Sequence, residues 1–66
     1  MKRKYELIEV LNAMFERCKN AHDGEYYRKA FNNGRDVEDF FIEYCFGVKG
    51  ISSKVIGNVL LVWYTE

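Results

Sequence analysis

Few side chains in this sequence are equipped for chemistry, and their spacing argues against each chemistry in turn. There is one histidine, His22, and there are two cysteines, Cys18 and Cys45. A structural zinc site takes four ligands, usually from paired cysteines or histidines, and a catalytic histidine needs a nucleophile and an orienting group beside it. His22 has no second histidine and no CxxC pair to join. Its place after a long helical pattern suits a helix C-terminus, where a part-protonated imidazole favours the dipole. Cys18 and Cys45 lie far apart among apolar neighbours. They are read as two small buried hydrophobes in a reducing cytoplasm, with a single disulfide between them as the alternative. Ser52 and Ser53 have no histidine near them and no GxSxG elbow around them. No GxxxxGK[ST] or GxGxxG loop is present to cradle phosphate. The carboxylates Asp36, Glu38, Asp39 and Glu43 would need a pocket to act as acid and base, and 66 residues barely provide one. The expectation is a protein with no catalytic residues, no metal and no cofactor.

The size and composition fit that expectation. A chain of 66 residues is one domain, and it buries only about 60% of its unfolded surface. Five tyrosines, five phenylalanines and one tryptophan are many for so small a core, so some must lie at a rim or an interface. Self-association into a homo-oligomer would add the burial a monomer lacks. Ten basic and ten acidic side chains cancel, whereas a basic excess is the usual footprint of nucleic-acid binding. The charges are nonetheless clustered, with Lys2, Arg3 and Lys4 at the start and the acidic block further on. No 18-residue apolar span and no signal-peptide pattern is seen, so a cytoplasmic location without membrane contact is expected.

The elements that would position these residues follow from periodicity. Leu7, Ile8, Leu11, Met14, Phe15 and Cys18 recur at three- and four-residue steps, which predicts an amphipathic helix over residues 4–22, stopped by Asp23-Gly24. Residues 25–31 (EYYRKAF) are ambiguous and lean to a short helix, ended by Asn32-Asn33-Gly34. Asp36 reads as the N-cap of the next helix, with Asp39 three positions on. Glu38 and Asp39 then sit in its first turn, Phe40, Phe41, Tyr44 and Cys45 form its buried face, and Gly47 closes it.

The longest apolar run, residues 51–64 (ISSKVIGNVLLVWY), is what the rest must cover. As β, Lys54-Val55-Ile56 and the six residues from Val59 to Tyr64 are strands joined by a type II′ turn at Gly57-Asn58. The second strand is apolar on both faces and should be central and covered on both sides. As a helix, Ser52 or Ser53 is the cap and Val55, Ile56, Val59, Leu60 and Trp63 share a stripe. The turn pair and the β-branched residues favour the hairpin. The expected fold is therefore α+β, two or three short helices on a C-terminal β-hairpin, with an all-α, helix-turn-helix-like arrangement as the alternative.

Two functions follow from the two readings. The first is a small non-catalytic protein-binding module that occludes or adapts another protein. Its candidate contacts are Tyr26, Tyr27 and Arg28, of the types enriched at binding hot spots, and a second, acidic patch of Glu38, Asp39 and Glu43. In composition the chain resembles small inhibitory or accessory proteins of phages and mobile elements, without matching any family. The second is a helix-turn-helix or winged-helix nucleic-acid binder, with residues 40–46 as first helix and 52–61 as recognition helix. The segment GISSKVIGNVL resembles winged-helix recognition helices. That resemblance implies contacts from Lys49, Ser53, Lys54 and Asn58, a sparse polar set for base and phosphate recognition.

Overall fold

The computed structural model describes residues 4–20 and 24–65. The chain runs through helix α1 (Lys4–Met14), strands β1 (Glu16–Asn20) and β2 (Gly24–Ala30), helix α2 (Gly34–Phe40) with a wider turn at Phe41–Cys45, and strands β3 (Ile51–Ile56) and β4 (Val59–Tyr64). The strands form one antiparallel sheet in the order β1-β2-β4-β3. The fold is α+β, with the expected hairpin at the C-terminal end. Among the described residues no helix is long and apolar enough to cross a membrane.

Residues 51–64 form a hairpin because the turn chemistry overrides the apolar stripe. Gly57 takes φ 64°, the positive value that the first position of a II′ turn demands, and Asn58 keeps negative φ. Asn58 also anchors the turn to the end of β2. Its carbonyl accepts the Phe31 amide at 2.8 Å, and its side-chain amide donates to the Phe31 carbonyl. The recognition helix that the all-α alternative requires over residues 52–61 is thus replaced by two strands, and the helix-turn-helix architecture goes with it.

Three other expectations are corrected. The helix expected over residues 4–22 ends at Met14, where the Phe15 amide closes on the Leu11 carbonyl at 3.0 Å. Residues 16–20 leave as β1, because five of them pair along β2. Cys18 accordingly lies on a strand, half-buried, rather than on a helical stripe, and its thiol is free. His22 and Asp23 fall outside the described residues, as do Lys2 and Arg3. Residues 25–31 are not a helix. Residues 24–30 are β2, held between β1 and β4.

The N-cap of α2 is Asn33 rather than Asp36. Asn33 has extended backbone, and its side-chain oxygen accepts the Asp36 amide at 2.8 Å. Asp36 sits in the first turn, where its charge favours the helix dipole. Replacing Asn33 with Ala should cost about 1 kcal/mol in a urea melt, whereas Asp36→Asn should cost a few tenths of a kcal/mol through the dipole alone. The helix ends in a π-type turn, closed by the Phe46 amide on the Phe41 carbonyl at 2.9 Å.

The core lies between the helices and one face of the sheet. Leu7, Leu11 and Phe15 from the α1 segment meet Val37, Phe40 and Cys45 from the α2 segment over Tyr27, Leu60 and Val62. Phe15, Phe31, Phe40 and Tyr44 close one end as an aromatic cluster, with centroid separations of 4.7 to 6.3 Å. Burial pushes the Cys45 thiol up to about 11, so it is an inert packing group at neutral pH.

Candidate interaction surface

Side chains alternate along a strand, so the buried residues assign both faces of the sheet. Tyr27, Leu60 and Val62 point into the core. Their neighbours Tyr26, Arg28, Val59, Leu61 and Trp63 therefore point to the other face. Among the described residues no side chain of that face is fully buried and no helix packs on it. β4 is interior and apolar on both sides, as its sequence indicates, but among the described residues only one side is covered by helices, not both as expected.

The registers arrange this open face into rows across the strands. The central row takes one residue from each strand, through the pairs Glu16↔Arg28, Arg28↔Leu61 and Leu61↔Lys54. On one side of it lies the row Ala30, Val59 and Ile56. On the other lie the pairs Cys18↔Tyr26 and Ser52↔Trp63. There the sheet forks. The β2–β4 register stops at Tyr27↔Val62, whereas β2 stays paired with β1 as far as Gly24 and β4 with β3 as far as Tyr64. A cleft of about 650 Å³ occupies the fork, lined by residues that include Tyr26, Lys54, Leu61 and Trp63. Glu25, Tyr64 and Thr65 also line it.

Ion pairs brace the β1 side. Arg17 and Glu25 meet at 2.7 Å, and the hydrogen bond and charge of Arg17 hold the Glu25 carboxyl below its usual range. Arg28 lies 3.7 Å from Glu16, both well exposed, and such a pair adds little to stability. Lys54 has no ion pair among the described residues.

The sequence-derived patches are divided by this geometry. Tyr26 and Arg28 share the open face, but Tyr27 between them is 6% exposed and belongs to the core. Its hydroxyl donates to the Asn12 side-chain oxygen at 3.2 Å and lies 3.5 Å from the Tyr64 hydroxyl. Glu38, Asp39 and Glu43 are exposed on the α2 segment, on the opposite side of the molecule from Tyr26 and Arg28. The four polar residues assigned to nucleic acid do not converge either. Lys49 is in the turn before β3, Ser53 faces the helices, Lys54 lies on the open face, and Asn58 is tied to Phe31.

No protein-family model, curated protein or solved structure matches this chain. Among the described residues no group of three metal-ligating side chains converges. Leu61, Trp63, Val59 and Ile56 were not singled out as site residues by sequence reasoning. The signal was present in the two-sided apolar pattern of β4, but that pattern alone does not say which side is left bare.

Proposed function

We propose that this chain is a small non-catalytic protein-binding module, of an inhibitory or accessory kind, whose contact surface is the open face of its sheet. One observation carries the reading. Among the described residues no helix lies over one side of an interior strand that is apolar on both, so the half-buried Val59, Leu61 and Trp63 join half-buried Tyr26 and exposed Ile56 on one surface. Contiguous apolar surface of this kind marks interaction sites in small soluble domains. Aromatic residues with a nearby Arg are the side chains that anchor protein interfaces. Arg28 and Glu16 supply a polar element within the patch, and Lys54 a second.

The test is affinity capture of protein, copies of this chain included, from a lysate of the native host, with nuclease present. The double variant Tyr26→Ser/Leu61→Thr should lose captured protein at least tenfold while keeping its circular dichroism. The variant Glu38→Gln/Asp39→Asn, altered on the helical side, should capture normally. Full capture by a folded Tyr26/Leu61 variant, or loss only in the Glu38/Asp39 variant, would refute the surface assignment.

Nucleic-acid binding is supported as a second reading by the proximity of Tyr26 and Trp63 to Lys54 around the fork cleft. Aromatic faces beside a basic side chain suit unpaired bases. Zero net charge weighs against it. This reading requires capture that vanishes on nuclease treatment and weakens steeply with salt.

A further inference from the structure

The central row of the open face is ordered by charge. Reading from the β1 edge to the β3 edge it runs Glu16, Arg28, Leu61, Lys54, with an acid at one edge and a base at the other. A face with that polarity is complementary to a reversed copy of itself.

Two identical faces stack through a two-fold axis lying in the interface plane. An axis perpendicular to the strands would lay the row on itself without reversing it. Glu16 would then oppose Glu16, Arg28 would oppose Arg28 and Lys54 would oppose Lys54, all like charges. An axis parallel to the strands, between β2 and β4, reverses the row. Glu16 then meets Lys54 of the second copy and Lys54 meets its Glu16. Arg28 is laid on Leu61 of the second copy, so the two guanidinium groups are kept apart. The flanking rows match in the same operation, placing Tyr26 over Trp63 of the second copy and Ala30 over its Val59.

We propose that the open face is closed by a second copy of this chain in this second orientation, giving a two-sheet sandwich with the helices outside. The inference rests on the reading of the open face as the contact surface and names the occupant of that same surface. Aligned sheets pack about 10 Å apart with their strands turned by roughly 30°. At the outer strands that rotation displaces facing residues by about 4 Å, which the long side chains of Glu16 and Lys54 span. The two charge contacts sit at the rim, where they set orientation, and the apolar and aromatic rows supply the buried area. The dimer also covers the bare side of β4 and gives a 66-residue chain the burial it lacks.

The experiment is sedimentation equilibrium of the full chain over roughly 1–100 µM in low salt, with Trp63 emission followed over the same range. Trp63 is the only tryptophan and lies on the face in question, so its emission reports whether the face is covered. The expected species has twice the 7.8 kDa monomer mass, and the emission moves to longer wavelength on dilution. Glu16→Lys and Lys54→Glu should each weaken the dimer at least tenfold, and the combined variant should recover most of the loss. A monomer throughout the range would overturn the proposal. So would a dimer indifferent to both charge reversals, with Trp63 emission constant on dilution. A monomer that captures a host protein through Tyr26 and Leu61 would also overturn it, while leaving the protein-binding reading in place. The emission measurement needs no variant, so the proposal stays open to refutation if a charge reversal impairs folding.

Discussion

Leu60→Ala should lower the unfolding free energy by about 3 kcal/mol, within the range for buried Leu truncations. Leu60 has no exposed surface and sits in the interior strand β4, paired with Lys29 of β2 and Val55 of β3. The truncation leaves a cavity under the helices, and a rigid two-layer core closes it only in part. A domain of this size holds only about 3–5 kcal/mol of stability, so the variant should be substantially unfolded at 37 °C. Urea melts followed by circular dichroism check this. A loss below about 1 kcal/mol would mean that Leu60 is not the core residue of its strand, and the face assignment would be reversed. Leu61→Ala, one position along on the open face, is the control and should cost less than half as much.

Tyr27→Ala should be similarly damaging, at about 3 kcal/mol, although sequence reasoning placed Tyr27 in a contact patch. Its ring is buried, packs edge-on to Tyr64 at 6.0 Å, and joins α1 to the sheet through Asn12. Tyr27→Phe keeps the ring and loses only the hydroxyl, so it should cost about 1 kcal/mol. The Asn12 partner is exposed, so water satisfies it once the hydroxyl is gone. The same melts decide. A Tyr27→Ala variant as stable as the parent would place the ring outside the core. Loss of partner capture in such an unfolded variant would say nothing about contact, which is why the capture test uses Tyr26 and Leu61 instead.

What was legible in the sequence is what local chemistry encodes. Gly57-Asn58 between β-branched runs gave the hairpin, because positive φ at the first turn position is cheap for glycine alone. The spacing of Leu7 and Leu11, and of Phe40 and Cys45, gave the buried stripes of both helical segments. The end of α1 was hidden because no glycine or proline separates Met14 from Cys18, and the helical period runs on by coincidence into a strand. β1 and β2 carry charges on both faces, so alternation is weak, and their state is set by pairing with each other and with β4. Asp36 was read as the cap of α2 and Asn33 as the end of the segment before it, and the backbone shows that Asn33 is the cap. The open face was half legible. Apolar residues on both sides of β4 mark it as interior, but whether its second cover is a helix of the same chain or another molecule is a tertiary fact. Tyr26-Tyr27-Arg28 reads as one patch along the sequence, and the strand splits it between two faces.

The most direct test of the account is hydroxyl-radical footprinting of the chain in its associated state against the dilute monomer. The open sheet face as contact surface requires protection of Tyr26, Ile56, Leu61 and Trp63, with Ile42 and Phe46, which are 60% and 72% exposed on the helical side, reacting as before. Protection of Ile42 and Phe46 with Tyr26, Leu61 and Trp63 unchanged would contradict it and move the binding surface to the helices.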